Sequence, residues 1–154
     1  MADRQILHAT CVAVNGVGLL LTGSPGSGKS DLALRLIDQP GRGLSGVEKS
    51  SQLVADDQVV IRREGRRLIA SAPPALAGLF EVRGLGVMSV RHRNEVALAA
   101  VVELVLSEEI ERLPDFTARR WSLLGLDLPR LAIDPWTASA PARMRAAADW
   151  LALL

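Results

Sequence analysis

The glycine-rich segment Gly23–Ser30 constrains the fold of this chain more than any other feature. Its sequence, Gly-Ser-Pro-Gly-Ser-Gly-Lys-Ser, matches the pattern G-x-x-x-x-G-K-[ST] at every position. The apolar segment Val17–Thr22 before it is predicted to be a strand, and Asp31–Asp38 after it has the apolar spacing of a helix. A strand, a glycine loop and a helix in this order are typical of a phosphate-binding loop, because glycines let backbone N–H groups turn toward phosphate oxygens.

We predict that the whole loop binds the phosphates of a nucleotide, with the start of the helix adding its positive dipole. The residues predicted to contact the nucleotide are Gly23, Ser24, Pro25, Gly26, Ser27, Gly28, Lys29 and Ser30. Lys29 is expected to reach the β- and γ-phosphates, and the Ser30 hydroxyl is expected to bind Mg²⁺. Only Lys29 and Lys49 are lysines among 18 basic residues, and arginine would not replace a compact charge at position 29.

Two adjacent carboxylates form a second candidate site. The buried-strand pattern of residues 53–55 ends at Asp56 and Asp57, which follow Ser30 by 26 and 27 residues. A P-loop enzyme holds its magnesium at such an acid. One aspartate could order the metal while the other accepts a proton from an attacking hydroxyl. The alternative is an acidic strand end exposed to water, and the upstream loop favours the functional interpretation.

Length and composition limit the class of protein. A chain of 154 residues with 49% hydrophobic content is expected to form one domain with a real core. A formal net charge of +1 argues against a nucleic-acid-binding surface. No apolar run approaches the roughly 18 residues that span a membrane. We therefore expect a cytoplasmic protein with neither nucleic acid nor membrane as a partner. A single cysteine, Cys11, excludes an intramolecular disulfide.

Turn signals predict that the sheet is mixed rather than purely parallel. Asn15-Gly16 is a tight-turn signal between the predicted strands Gln5–Val14 and Val17–Thr22. The three tryptophans are interpreted as core or interface anchors. The other predicted elements are a hairpin of Gln58–Arg63 and Arg67–Ala70, a surface excursion over Leu44–Ser51, a core strand over Val96–Leu106, a short strand over Leu131–Ile133 and a helix that starts at Ser139-Ala140-Pro141 and continues over Ala142–Leu154.

Taken in order, these motifs resemble the catalytic domain of the HPr kinase/phosphorylase family, in a truncated form of the alphaproteobacterial type. The resemblance rests on His8, the loop, the acid pair Asp56-Asp57, Ala72-Pro73-Pro74 and the decapeptide Glu81–Val90. The decapeptide is the most specific of these motifs, since generic P-loop kinases lack it. The fold that the resemblance implies is α/β, a P-loop nucleotide-binding domain with a mixed sheet, similar to phosphoenolpyruvate carboxykinase.

The resemblance also implies a role for each matching residue. His8 matches an active-site histidine, and Asp57, beside Asp56, matches the proton acceptor. Glu81 matches a second magnesium ligand, Arg83 belongs to the same signature, and Arg143 matches an active-site arginine. The implied activity is an ATP- and Mg²⁺-dependent serine kinase that phosphorylates an HPr-like phosphocarrier and also removes the phosphate by phosphorolysis. Pyrophosphate is a possible second donor, and a homo-oligomer is expected because the family is hexameric.

The resemblance covers roughly residues 6–145. We therefore expect residues 1–154 to be one catalytic domain without the N-terminal domain of full-length members. Two other functions remain open. One is a small-molecule P-loop kinase, against which the decapeptide argues. The other is a regulatory module that senses a nucleotide and binds partner proteins without transferring phosphate.

Overall fold

The computed structural model describes residues 3–116 and 118–154 and shows a mixed α/β fold around a large curled sheet. The two helices of the described residues are α1 (Lys29–Asp38) and α2 (Ala140–Leu151). Short 3-10 turns span Pro74–Leu76 and Ser107–Glu109. The strands are β1 (Arg4–Leu7), β2 (Thr10–Val14), β3 (Val17–Thr22), β4 (Ser51–Ala55), β5 (Val59–Glu64), β6 (Arg67–Ser71), β7 (Leu79–Val82), β8 (Gly86–Ser89), β9 (Glu95–Leu104), β10 (Arg120–Leu123) and β11 (Leu126–Ile133).

Strand β9 is the centre of the sheet. The main strand order is β1-β5-β6-β9-β3-β2-β4, and β11 also pairs with β9 while β10 pairs with β11. β9 runs parallel to β3 and β11 and antiparallel to β6, which confirms the predicted mixed sheet. Because β3 and β9 are parallel, they end at the same edge, and the glycine loop leaves the sheet there. β7 and β8 form a separate two-stranded hairpin.

Two predicted hairpins are present, and two others, β7–β8 and β10–β11, were not predicted. Asn15 and Gly16, with φ of 50° and 81°, turn the chain between β2 and β3. β5 and β6 pair on either side of Gly65. The second unpredicted hairpin joins β10 to β11 through Leu124 and Gly125, with φ of 51° and 81°. A left-handed leucine costs roughly 1 kcal/mol or more, so this residue gives no turn signal. The predicted strand Leu131–Ile133 is only the end of β11.

The prediction of a single strand over Gln5–Val14 was wrong. The chain leaves the strand conformation at His8 and Ala9, which separate β1 from β2. β1 pairs with β5, whereas β2 pairs with β3 and β4. The chain therefore changes neighbours within the sheet at this point, and apolar periodicity does not report such a change. The break leaves His8 at the end of β1 rather than within a strand.

The central strands are buried on both faces. On one face, Leu32 and Leu36 of α1 and Met144 of α2 pack in a cluster with residues such as Val12 of β2. The other face carries a second cluster, which includes Cys11, Leu20, Ile61, Leu68 and Val101. Burial raises the pKa of the Cys11 thiol, which therefore acts as a small apolar group. No described helix has the length and apolar character needed to cross a membrane.

Residues 39–50 between α1 and β4, which we call the excursion, contain most of the predicted surface excursion Leu44–Ser51. They are mostly exposed, but one of them is a buried lysine. Lys49 is 1% exposed, and its Nζ donates to the carbonyl oxygens of Arg42 and Val47, at 2.8 and 2.7 Å, and to Ser45 Oγ at 2.7 Å. Nζ also lies 3.0 Å from Asp149 Oδ2 on α2. These contacts fasten the excursion to α2.

A second buried cation makes the same connection between the excursion and α2. Arg145 is 8% exposed, burial lowers its pKa, and its Nη2 donates to the carbonyl oxygen of Gln39. A methyl group on Gly41 would lie 2.3 Å from Arg145 Nη1, so this guanidinium packs directly against the excursion backbone.

Candidate functional site

The glycine loop runs from β3 into α1 with its glycines in conformations that other residues rarely adopt. Gly26 and Gly28 have φ of 80° and 100°. Lys29 begins α1 and is largely buried, and its Nζ donates to the carbonyl oxygens of Gly23 and Ser24 at 2.8 and 3.2 Å. The lysine side chain therefore folds back over the loop. A phosphate bound in the loop would lie within reach of its Nζ.

The first aspartate of the acid pair joins three elements. Asp56 Oδ1 accepts hydrogen bonds from Ser30 Oγ at 2.8 Å and from Thr10 Oγ1 at 3.1 Å. Ser30 belongs to α1, Thr10 begins β2, and Asp56 follows β4. The network places one carboxylate beside the hydroxyl that ends the loop motif. The sequence offered no signal that singled out Thr10.

The second aspartate has a strained backbone. Asp57 has φ of 68°, and the Gln58 N–H donates to the Asp56 carbonyl oxygen at 2.8 Å, which closes a tight three-residue turn. This turn overrides the alternation of a strand, so both aspartates line one cleft. His8 Nε2 lies 3.3 Å from Asp57 Oδ1, and both side chains are more than half exposed.

These groups line one cavity of about 560 Å³, which we call the cleft. It lies between the glycine loop, the acid pair and the β7–β8 hairpin, which contributes Glu81 and Arg83. The predicted site residues that line it are His8, Pro25, Gly26, Ser27, Gly28, Lys29, Ser30, Asp56, Asp57, Glu81 and Arg83.

Three predicted residues lie elsewhere. Gly23 and Ser24 line a neighbouring cavity on the other side of the loop. Arg143 is exposed on α2, where its Nε donates to Ser139 Oγ at 2.9 Å, and it lines neither cavity. The structure therefore does not bring Arg143 to the cleft of its own chain.

The cleft has the chemistry to hold magnesium together with phosphate. No group of three or more His, Cys, Asp or Glu side chains converges as a metal site within residues 3–116 and 118–154. Mg²⁺ does not require such a cage, since it is usually bound by one or two carboxylates, substrate phosphates and water. Ser30 Oγ and Asp56 supply oxygen ligands side by side. The buried Ser27 Oγ has no hydrogen-bond partner among the described residues, so its hydroxyl is available to donate to an oxygen atom of a bound ligand.

Of the predicted role of the tryptophans as core or interface anchors, the structure excludes the core alternative for Trp136. Trp136 is 57% exposed and lines both the cleft and the neighbouring cavity, so it is not a core residue. Trp150, in contrast, packs against Phe116 with ring centroids 4.9 Å apart. In the sequence, the only indication that Trp136 lies outside the core was its position directly after Asp134-Pro135, close to the end of the predicted strand Leu131–Ile133.

Comparisons with known proteins agree with the resemblance. A family model described as the HPr Serine kinase C-terminal domain matches residues 1–135. The HPr kinase/phosphorylase of Chlorobaculum tepidum is 40% identical in an alignment of 137 residues, and the match covers 81% of this chain and 37% of that protein. That of Geobacillus thermodenitrificans is 34% identical in an alignment of 143 residues, and the match covers 86% of this chain and 43% of that protein. This chain thus spans less than half the length of these relatives.

A solved structure is similar over nearly the whole chain. It is described as the Hpr(Ser) kinase/phosphatase from Coxiella burnetii and superposes with a TM-score of 0.78 at 27% sequence identity. The match covers 97% of this chain and 97% of that chain. The mixed sheet described above is therefore a fold already seen in a protein of that description.

Proposed function

Because this chain belongs to the HPr serine kinase C-terminal domain family, we propose that it is an ATP- and Mg²⁺-dependent kinase that phosphorylates a serine of an HPr-like phosphocarrier. The observation that carries the proposal is the convergence of Lys29, Ser30, Asp56 and Asp57 on one cleft. A phosphate-binding lysine, a pair of metal-ligating oxygens and an exposed carboxylate are the groups that phosphoryl transfer to a hydroxyl requires.

On the donor side, Lys29 and the loop amides bind the phosphates. The Lys29 Nζ now donates to two neutral carbonyl oxygens, so a phosphate oxygen would be a stronger, charged acceptor. Ser30 and Asp56 would hold Mg²⁺, with Glu81 as a second carboxylate from the hairpin. When bound, the metal would neutralise charge on the phosphate oxygens. Thr10 keeps Asp56 oriented toward Ser30 through its hydrogen bond.

On the acceptor side, Asp57 takes the proton of the attacking serine hydroxyl. The serine oxygen forms a bond to the γ-phosphorus, the bond from that phosphorus to the bridging oxygen breaks, and ADP leaves. His8, 3.3 Å from Asp57, orients the carboxylate, and Arg83 offsets charge on the transferring group. In the reverse direction, inorganic phosphate attacks phosphoserine and Asp57 returns the proton to the serine oxygen, which yields pyrophosphate. Pyrophosphate is then also a donor in the forward direction.

The finer features predicted from the sequence belong to the same proposal. The domain is a P-loop domain of the phosphoenolpyruvate-carboxykinase type, with residues 1–154 forming a single catalytic domain. It acts as a homo-oligomer in the cytoplasm, where ATP is available, with neither nucleic acid nor membrane as its partner. The catalytic role of Arg143 stays a prediction, since it lies outside the cleft of its own chain.

The experiment that tests this proposal follows labelled γ-phosphate from ATP. The protein is incubated with Mg²⁺, labelled ATP and HPr from the same genome, and in parallel with HPr whose acceptor serine is replaced by alanine. We expect label on unmodified HPr alone. If ATP binds but HPr acquires no label, the kinase proposal falls and a nucleotide-sensing module becomes the better account. Label on a small-molecule acceptor instead would favour the small-molecule kinase.

A further inference from the structure

The neighbouring cavity, which we call the second cavity, lies across the glycine loop from the cleft and has a volume of about 570 Å³. Ligand pockets typically enclose about 300–1,000 Å³, so this space is large enough for a small ligand. Gly26, Ser27 and Trp136 line both spaces, so a single extended ligand can occupy both of them. The other residues that line the second cavity include Glu103, Leu104, Leu106, Glu109 and Pro135.

The Trp136 indole lies directly on the loop at the boundary of the two spaces. A methyl group on Gly28 would lie 3.2 Å from the ring and 3.0 Å from Pro135, so the ring and Pro135 pack closely against the loop backbone at this glycine. Asp134 holds the surrounding wall together. Its Oδ1 accepts from the Trp136 N–H at 2.9 Å, and its Oδ2 accepts from the backbone N–H and the hydroxyl of Ser107, at 3.0 and 2.6 Å.

The chemistry of the second cavity differs from that of the cleft. It contains an aromatic face, aliphatic side chains and two carboxylates, Glu103 and Glu109, and none of the described residues that line it is a lysine or arginine. Glu103 is paired with Arg130, and Glu109 Oε2 accepts from the Leu106 N–H. The lining therefore suits an uncharged group with an aromatic face and N–H or O–H donors better than a phosphate chain. Carboxylates accept hydrogen bonds from ribose hydroxyls, and an indole packs well against a flat base.

We propose that the second cavity binds the nucleoside of the phosphoryl donor, with Trp136 packed against the base, while the triphosphate crosses the loop into the cleft. Trp136 then favours ATP over a donor that has no nucleoside, such as pyrophosphate. Asp134 is a positioning residue, because it acts only through Trp136 and Ser107. This inference rests on the proposed function in so far as the donor is a nucleotide.

The test compares ATP with inorganic tripolyphosphate, which carries the same phosphate chain without a nucleoside. Dissociation constants for both are measured by calorimetry with Mg²⁺ on the wild-type chain and on Trp136→Ala, Trp136→Phe and Asp134→Asn. We expect the wild-type chain to bind ATP more tightly. Trp136→Ala should weaken the affinity for ATP about 10-fold or more, while the affinity for tripolyphosphate should stay within about twofold of the wild-type value. Trp136→Phe should restore part of the loss, and Asp134→Asn should show the same selectivity with a smaller change.

Trp150→Phe is the matched control, since this tryptophan packs on Phe116 and lines neither cavity. This variant should leave the affinities for both ligands unchanged. An equal loss for both ligands in Trp136→Ala would overturn the inference, because Trp136 would then only support the loop through Gly28. No loss for either ligand would overturn it as well. Failure of the kinase proposal is distinguishable, since it would abolish label on HPr and leave the selectivity for ATP over tripolyphosphate intact.

Discussion

The glycine loop and the excursion after α1 each bury one lysine, yet the two lysines have different surroundings. Nζ of Lys49 has four oxygen atoms within 3.0 Å, one of them from the Asp149 carboxylate. Lys49 does not line the cleft. Nζ of Lys29 has two carbonyl partners and lines the cleft. An amino group with three hydrogens can thus be fully satisfied at position 49, whereas at position 29 it retains capacity for a ligand.

The two lysines thus differ in whether the protein itself supplies all the hydrogen-bond partners of the ammonium group. Lysine is rare in this chain, whose basic residues are mostly arginine, so its rarity does not distinguish Lys29 from Lys49. The compact charge matters at both positions, but for different reasons. Lys49 holds the excursion and α2 together, whereas under the proposed function Lys29 binds a phosphate of the nucleotide.

The largest expected effect is on catalysis. Lys29→Met should reduce the rate of phosphate transfer from ATP to HPr by about 10²–10³-fold, because a charged donor to the phosphates is lost. The free energy of unfolding should fall by only about 1–2 kcal/mol, since two hydrogen bonds to loop carbonyls are removed. Quenched-flow transfer assays and urea denaturation measure the two quantities. A variant that keeps its transfer rate but loses stability would reverse the roles assigned to the two lysines.

Lys49→Met should show the opposite pattern. We expect the free energy of unfolding to fall by about 2–4 kcal/mol, because Asp149 loses its cation and the acceptors in the excursion lose their donor. The affinity for ATP should stay within about twofold of the wild-type value. Urea denaturation and calorimetry on the same preparation test this prediction, and unchanged stability would show that the excursion does not depend on Lys49.

The smallest expected effect concerns the wall of the second cavity. Glu103 accepts hydrogen bonds from the Arg130 guanidinium, which lowers the pKa of this carboxyl. A lowered pKa stabilises the folded state above the unfolded-state pKa of about 4.3, and this stabilisation disappears as the pH falls through the folded-state value. Glu103→Gln should therefore lower the free energy of unfolding by at most about 1 kcal/mol at pH 7, since the pair is partly exposed.

Denaturation of the wild-type chain and of Glu103→Gln at several pH values tests this linkage. The difference between the two proteins should shrink as the pH falls from the unfolded-state pKa of about 4.3 through the lower folded-state pKa of Glu103. A difference that is constant from pH 7 to pH 3 would contradict the role given to the ion pair.

The sequence predicted the parts of the fold and of the site that depend on local signals. The loop, its flanking strand and helix, and the Asn15-Gly16 turn follow from residue types at fixed spacing. The left-handed backbone conformation of Asp57, which brings both aspartates to one cleft, was not predicted. Alternation along a strand places neighbouring side chains on opposite faces. The break at His8 was missed because it follows from a change of strand partners.

Long-range contacts were the least predictable part of the molecule. Nothing near Lys49 in the sequence points to Asp149, which is 100 residues away. Thr10 joins Asp56 only because β2 and β4 are neighbours in the sheet. Trp136 meets Gly28 only because β11 brings its end to the edge where the glycine loop lies. Such contacts are properties of the assembled sheet and not of any one segment.

The central claim is that the cleft transfers phosphate with Asp57 as the proton acceptor. The most direct measurement is single-turnover transfer from labelled ATP to HPr by the wild-type chain and by Asp57→Ala, with the affinity for ATP determined on the same samples. We expect Asp57→Ala to bind ATP within about twofold of the wild-type value and to transfer phosphate about 10²–10⁴ times more slowly. Equal transfer rates in the two proteins would contradict the account.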